Sequence, residues 1–82
     1  MLWQYHKSMK VEFSSHALDQ LKVRSRISRF MVRATLLKPD EIGETFRGRQ
    51  LFRKTYGNET LEVVAVKEDN VITVITQYFL EQ

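Results

Sequence analysis

Hydrophobic and polar residues alternate along the first part of the chain. Over residues 1–13 the odd positions are mostly apolar and the even positions mostly polar. A period of two indicates a half-buried strand, and the pattern is most regular over Lys10–Phe13. Residues 1–8 either extend this strand or form a loose tail. If they extend it, Trp3 and Tyr5 at a strand edge are candidates for a homodimer contact.

A helical period follows. Ser14 or Ser15 supplies an N-cap whose hydroxyl accepts a free backbone N–H. At about 100° per residue, one side of the helix is predicted to face the core. The residues of this core stripe are Ala17, Leu18, Leu21 and Ser25. A polar ridge lies beside it, at the boundary between core and solvent, where a side chain is held firmly and still reaches a ligand. The residues of that ridge are His16, Gln20 and Arg24.

A second helix is predicted over Arg29–Leu37, with Ser28 as its N-cap. One face carries Phe30, Met31, Ala34 and Leu37. A second apolar side carries Val32 and Leu36, and the main polar ridge carries Arg29 and Arg33. A helix that is apolar on two sides is expected to be largely buried. Pro39 disfavours helical geometry at Lys38 and ends the helix, so residues 39–43 are predicted to form a connection.

The remaining chain has the pattern of strands. Residues 44–46 predict a weak strand and Gly48 a turn. Gln50–Tyr56 and residues 60–67 predict two strands joined by a Gly57-Asn58 hairpin, and Val71–Phe79 predicts the last strand. The runs LEVVAV and VITVIT are apolar on both faces, which is typical of central strands.

This order, β-α-α-β-β-β, predicts an α+β fold in which two N-terminal helices pack on a small antiparallel sheet. Residues 10–80 are expected to form a single domain, with residues 1–9 as an N-terminal extension.

Charge is distributed unevenly along the chain. The formal net charge is +3. Residues 1–38 carry eight Lys or Arg against two acids, whereas residues 39–82 carry five against eight. The basic half suits RNA or an acidic protein segment as a partner, and ordinary solvated charge is the alternative.

Composition excludes several kinds of protein. The absence of cysteine excludes disulfides and thiolate metal sites and fits a reducing compartment. No apolar run approaches the roughly 20 residues that a membrane span needs, and residues 1–9 lack the apolar core of a signal peptide. We therefore expect a cytoplasmic protein with no membrane contact. Two histidines, His6 and His16, are too weak a signal for a metal site, and no cofactor is predicted.

Four segments in order resemble a known family. FSSHALDQLKVRSRIS, KPDEI, GRQLFRKTYG and ITVITQY resemble DUF4258, a family of small uncharacterised domains related in fold to RelE and BrnT-like toxins of type II toxin–antitoxin systems. The similarity covers about residues 10–80. The family's pattern falls here on His16-Ala17, Arg24, Pro39-Asp40, Thr76 and Tyr78. The chain departs from it at Gln20, where members often have arginine, and at Ser25-Arg26-Ile27, which is one residue longer than the usual Gly-Ile.

The resemblance implies a RelE-like fold and a toxin-like, metal-independent endoribonuclease acting on mRNA, with a cognate antitoxin as its partner. Such cleavage uses the 2′-hydroxyl of RNA as nucleophile, so the protein supplies a base, an acid and cations. The candidate catalytic residues are His16, Arg24 and Tyr78. The candidate RNA-binding residues are Arg26, Lys54, Tyr56 and Thr76.

Each candidate residue also has a structural interpretation. A histidine at a helix start is often a structural group, and Arg24 would equally bond a strand or the Pro39-Asp40 loop. Tyr56 and Tyr78 fit cross-strand packing. The same fold would also serve as a non-catalytic RNA- or protein-binding module. A helix-turn-helix DNA binder over residues 15–37 is disfavoured, because its second helix is needed for the core.

Overall fold

The computed structural model describes residues 9–45 and 47–81, which form two helices and one five-stranded sheet. The helices are α1 (Ser15–Val23) and α2 (Arg29–Leu37). The strands are β1 (Lys10–Phe13), β2 (Glu41–Glu44), β3 (Gln50–Tyr56), β4 (Glu59–Glu68) and β5 (Val71–Phe79). Both helices lie on one face of the sheet, α1 against β1 and β5 and α2 against β3 and β4. The contact predicted for Trp3 and Tyr5 lies outside the described residues.

The sheet is mixed. Its strand order is β1-β5-β4-β3-β2, with β1 parallel to β5 and every other pair antiparallel. The prediction of an antiparallel sheet is therefore wrong at this one pairing. The two helices carry the chain to the far edge of the sheet. The antiparallel strands that follow then return it to the side of β1, where β5 runs in the same direction as β1.

Strand β2 (Glu41–Glu44) overlaps the weak strand predicted at residues 44–46 only at Glu44. The prediction of a connection over residues 39–43 is therefore wrong from Glu41 onward, and β2 gives the fold one strand more than the predicted order. Its position is set by Asp40, whose backbone N–H donates to the Arg53 carbonyl at 2.7 Å and whose Oδ2 accepts from the Thr55 N–H at 2.8 Å. Pairing with β3 therefore starts directly after Pro39. The residues of β2 are all exposed, which is typical of a short edge strand.

Both helix starts are capped as predicted. The Ser14 hydroxyl accepts from the Ala17 N–H at 3.1 Å and donates to the Ile75 carbonyl at 3.0 Å, so this cap also ties α1 to β5. The Ser28 hydroxyl accepts from the Met31 N–H at 3.1 Å. Helix α2 ends at Leu37 with Lys38 as its C-cap, directly before Pro39.

The core lies between the helices and the sheet. Its buried residues are Met9, Ala17, Ile27, Val32, Leu36, Phe52, Leu61, Val63, Ala65, Ile72 and Val74. From the predicted core stripe of α1, Ala17 is fully buried and Leu18 and Leu21 are half-buried. Ser25 is exposed because α1 ends at Val23, before the stripe reaches it.

The predicted burial of α2 is wrong on one side. The residues that α2 buries are Val32, Thr35 and Leu36. Phe30 is 79% exposed and Leu37 is 53% exposed. Thr35 can face the sheet because its hydroxyl has partners. It donates to the Met31 carbonyl of its own helix at 2.8 Å and contacts the Tyr56 hydroxyl of β3 at 3.0 Å. The sheet thus takes the Val32 side of the helix and leaves the other apolar side to solvent.

A β-bulge lies where β4 and β5 pair. Val64 is opposite Thr76 but Ala65 is opposite Val74, so Ile75 is an extra residue in β5. An extra residue reverses the alternation of side chains beyond it. As a result, Val74 and Gln77 both face the helices, and Thr76 and Tyr78 face the other side of the sheet.

Candidate functional site

Three of the predicted site residues meet at one cleft. The segment that follows α1 and the end of β5 enclose a cleft of about 420 Å³. Its lining residues are Val23, Arg24, Ser25, Arg26, Ile27, Tyr78 and Phe79. Two arginines and the Phe79 ring therefore share one concave surface, and we call it the Arg24 cleft.

Arg24 is anchored to the edge of β5. Its Nη1 donates to the Gln77 carbonyl at 3.0 Å. That carbonyl is accessible because β1 pairs with β5 only as far as Val74. The Leu80 N–H donates to Thr60 on β4, so by strand alternation the backbone groups of Gln77 and Phe79 point away from β4. Arg24 has the structural role of closing this edge, and its remaining N–H groups stay available at the cleft.

Arg26 is held over an aromatic ring. Its guanidinium lies 5.0 Å from the centre of the Phe79 ring, and its Nη2 forms an ion pair with Glu59 Oε1. A cation over a ring face is stabilised by the ring's quadrupole. The ring and the carboxylate together fix the guanidinium at the mouth of the cleft.

Tyr78 joins the cleft to a buried carboxylate on the other face of the sheet. Its hydroxyl donates to Glu62 Oε2, and Arg53 Nε donates to Glu62 Oε1 at 2.7 Å. Glu62 is only 5% exposed, and a buried carboxylate needs such partners. Burial, followed by the hydrogen bond and the charge of Glu62, raises the pKa of Tyr78 to about 12. The hydrogen bond to Glu62 also raises the pKa of Arg53.

His16 is separate from this cleft. It is exposed in the first turn of α1, eight residues before Arg24. At about 1.5 Å per residue, their backbones are about 12 Å apart along the helix. Within residues 9–45 and 47–81, no hydrogen bond or ion pair involves the His16 side chain. His16 and Arg24 thus share a ridge, as predicted, without forming one compact site.

Lys54, Tyr56 and Thr76 lie elsewhere. Lys54 Nζ donates to the Lys38 carbonyl at 2.9 Å, at the end of α2. The Tyr56 hydroxyl donates to the Met31 carbonyl at 3.0 Å. Thr76 is half-buried on the opposite face of the sheet, across from Val64. The structure therefore does not bring these three residues to the Arg24 cleft.

A second basic area lies along α2. The guanidinium groups of Arg29 and Arg33 lie 5.8 Å and 5.7 Å from the centre of the Phe13 ring. Among the described residues, none of the ion pairs involves Arg24, Arg29 or Arg33. The basic half predicted from the sequence is thus an exposed basic area on the helix side of the molecule.

Neither a metal-binding cluster nor a membrane-spanning helix is present among the described residues. The described part of the chain holds no cluster of three or more His, Cys, Asp or Glu residues suited to a metal ion. Across the same residues, neither helix has the length and apolar character to cross a membrane.

A family model matches most of the chain. The family model described as "Domain of unknown function (DUF4258)" matches residues 13–79, which include both helices and all strands except most of β1. No curated protein and no solved structure matches the chain.

Proposed function

This chain belongs to the DUF4258 family, and on that premise we propose that it is a non-catalytic module that binds single-stranded RNA at the Arg24 cleft. The observation that carries the proposal is the convergence of Arg24, Arg26 and the Phe79 ring on one concave surface. Proteins that bind single strands combine a basic groove with aromatic rings on which bases stack.

The two arginines suit a phosphate because a planar guanidinium offers paired N–H donors to its oxygens. Arg24 is held by the Gln77 carbonyl, so its position is fixed before the ligand arrives. Arg26 is held in turn over the Phe79 ring. A preorganised cation loses less conformational freedom on binding than a free surface arginine does.

The same geometry argues against cleavage at this cleft. The Tyr78 hydroxyl already donates to Glu62, and its raised pKa, about 12, keeps the proton in place at neutral pH. His16 is about 12 Å along α1 from Arg24. A base and an acid acting on one phosphodiester have to approach it together, to within about 3 Å of the atoms that exchange protons.

The test is a binding measurement by fluorescence anisotropy with a labelled oligouridine of about 12 nucleotides. We expect Arg24→Gln and Arg26→Gln each to weaken binding by about three- to tenfold at low salt. Each variant should also reduce the magnitude of the slope of log K against log salt by about 0.7, because one phosphate contact with a single strand is lost. Glutamine at position 24 still offers an N–H to the strand edge, which protects the fold.

The matched control is Lys67→Gln. Lys67 is exposed on the same strand as Glu59 but eight residues along, about 26 Å from the cleft end. The substitution removes one positive charge far from the cleft, so we expect only a small, non-specific loss of RNA affinity. If all three variants bind alike, the cleft is not the RNA site and the proposal is wrong. A DNA oligonucleotide of the same length shows whether the 2′-hydroxyl contributes.

The second candidate function is a toxin of a type II toxin–antitoxin system, with a RelE-like fold, metal-independent endoribonuclease activity on mRNA and a cognate antitoxin. The observation that favours it is the exposed His16 on the same helix ridge as Arg24. A histidine side chain works as base or acid near neutral pH. On this proposal an RNA strand would lie along α1, with Arg24 holding one phosphate and His16 reaching another.

Incubation of the protein with RNA in EDTA separates the two candidates. Cleavage that persists in EDTA and is lost in His16→Ala supports the endoribonuclease. RNA that stays intact while bound, with unchanged affinity in His16→Ala, supports the binding module. In cells, the toxin proposal predicts that expression of the protein alone stops growth and that His16→Ala combined with Arg24→Ala relieves the arrest.

A further inference from the structure

The outer side of α2 exposes large apolar side chains that the fold does not use. Phe30 and Leu37 are 79% and 53% exposed. They are seven residues apart, so at about 100° per residue they point within about 20° of each other. Phe30 lies about 160° around the helix from the buried Val32 by the same geometry. We call Phe30, Arg33 and Leu37 the outer ridge of α2.

The outer ridge borders a groove between α1 and α2. The groove has a volume of about 470 Å³ near the start of α2, and a neighbouring hollow of about 500 Å³ continues towards β1. The residues that line both parts are Leu18 and Arg29. Half-buried Leu18 and Leu21 provide an apolar floor, and Arg29 and Arg33 stand along the α2 side.

The charge of this surface determines what suits it. Lys22, Arg29 and Arg33 line the groove, and none of them forms an ion pair within the described residues. Glu12, the acid at the far end, is paired with Lys10 at 3.4 Å. A partner with carboxylates beside its apolar residues would cover the apolar side chains of the outer ridge and at the same time pair with the arginines.

A second copy of this chain is a poor occupant. In a two-fold dimer the same patch faces itself, so Arg29 and Arg33 of one copy would approach those of the other. No unpaired acid in the groove offsets that repulsion. RNA is a poorer occupant, because the aliphatic side chains of Leu18, Leu21 and Leu37 offer neither a donor for phosphates nor a ring for bases. Of the three residues of the outer ridge, only Phe30 has a ring.

A helix suits this surface better than a strand. The backbone groups of α2 are paired within the helix, so a partner meets side chains and not a free strand edge. We propose that the outer ridge of α2 and the adjoining groove bind an amphipathic helix of another protein. The apolar residues of that helix are flanked by Asp or Glu. This surface is distinct from the Arg24 cleft, so the inference does not depend on RNA binding.

The test uses two synthetic peptides of about 16 residues, long enough to form helix on binding. Both carry leucine at the same helical positions. One has glutamate beside the leucines and the other has lysine there. Amide chemical shifts of the full chain are followed by NMR during titration. We expect the glutamate peptide to shift the signals of α2 and the α1–α2 groove, and the lysine peptide to bind at least about tenfold more weakly.

Variants locate the contact. Phe30→Ser and Leu37→Ser should each weaken the glutamate peptide about tenfold, and since both side chains are exposed the fold should be kept. The matched control is Ile42→Ser, which removes an apolar side chain that is 44% exposed on β2 and lines neither the groove nor the Arg24 cleft. It should leave the affinity unchanged.

Several outcomes would overturn the inference. These are equal binding of the two peptides, shifts confined to other surfaces, no shifts at all, or an equal loss in Ile42→Ser. A dimer in light scattering that Phe30→Ser dissociates would assign the ridge to a second copy instead. Shifts of α2 on addition of the oligouridine would assign it to RNA.

Discussion

Glu62 carries a charge into a run of five consecutive buried residues, 61–65. Its two oxygens accept from Arg53 and Tyr78, so the carboxylate is satisfied without water. Loss of one partner from a buried charged group costs more than the loss of an exposed hydrogen bond. This network therefore links the stability of the sheet to the position of Tyr78, one of the residues that line the Arg24 cleft.

Tyr78→Phe should lower the free energy of unfolding by about 1–3 kcal/mol at neutral pH, because Glu62 loses a donor. The pKa of Tyr78 is about 12 in the folded chain against an ordinary value of 10.0. A raised pKa means that the folded state holds the proton more tightly. The contribution is therefore complete below about pH 10 and is lost as the pH rises towards about 12.

Urea denaturation of the parent and of Tyr78→Phe at a series of alkaline pH values measures this effect. The difference between the two proteins should shrink above about pH 10. Tyr56→Phe is the control, since that hydroxyl meets the Met31 carbonyl and no carboxylate. A difference that stays constant with pH for Tyr78→Phe would contradict the assignment.

At the residue scale, the pairing of Glu62 with Arg53 could have been predicted from the sequence. The predicted Gly57-Asn58 hairpin places Tyr56 opposite Glu59, and counting back along both strands places Arg53 opposite Glu62. A lone glutamate in LEVVAV, opposite an arginine, predicts an ion pair. Tyr78 could not be added in this way, because the bulge at Ile75 changes which residues of β5 face Glu62.

Among the elements, the two helix starts look alike in sequence but differ in the structure. Ser14 caps α1 and also donates to the bulge of β5, whereas Ser28 caps α2 alone. Ser14 therefore both starts its helix and holds that helix against the sheet. Ser28 acts only within its own helix.

Ser28→Ala should lower the free energy of unfolding by about 1 kcal/mol, the usual cost of an N-cap. Ser14→Ala should cost about 1 kcal/mol more, because the Ile75 carbonyl also loses its donor. Chemical denaturation of the two variants, compared with the parent, gives the two costs. Equal losses in both variants would mean that the contact with Ile75 contributes nothing to stability.

The bounds of α2 could be predicted from the sequence, but the face that it buries could not. Ser28 and Pro39 define both ends through local backbone chemistry. The face depends on the sheet beneath it. Tyr56 offers a hydroxyl that accommodates Thr35, and this favours the Val32 side over the Phe30 side. A nine-residue helix with apolar residues all round carries no signal of its own for that choice.

For the molecule as a whole, the charge asymmetry becomes a spatial arrangement. Arginines of the first half lie around the helices, and acids of the second half, such as Glu41 and Glu44, lie on the exposed edge strand β2. Glu59 is the exception, because it reaches the basic side and pairs with Arg26. It thus competes with any anionic ligand of the cleft.

Glu59→Gln should strengthen binding of the oligouridine by about three- to tenfold at low salt, because Arg26 no longer has a competing carboxylate. The gain should fall as salt is added. Glu68→Gln is the matched control, since it removes one exposed acid at the opposite end of the same strand. An equal gain in both variants would show that net charge alone is responsible. That result would leave the cleft without a role.

The parallel pairing of β1 with β5 is the part of the fold least accessible to sequence reasoning. Alternation along Lys10–Phe13 predicts a strand but does not indicate which strand it pairs with. Its partner is some 60 residues away along the chain; Lys10, for example, is opposite Val71. For the same reason, the Arg24 cleft could not be predicted from the sequence. Arg24 and Tyr78 meet only because β5 returns to the side of α1, and no local pattern in either segment specifies that approach.

The short reach of β1 has a consequence for self-association. Beyond Val74 the outer edge of β5 has backbone groups that do not pair with β1. A strand of another chain could pair with such an edge, which is how edge-to-edge aggregation of sheets usually begins. The Arg24 guanidinium occupies the Gln77 carbonyl there and brings a positive charge to the rim. We therefore expect Arg24 to oppose the addition of another chain's strand at this edge, whether or not it binds a ligand.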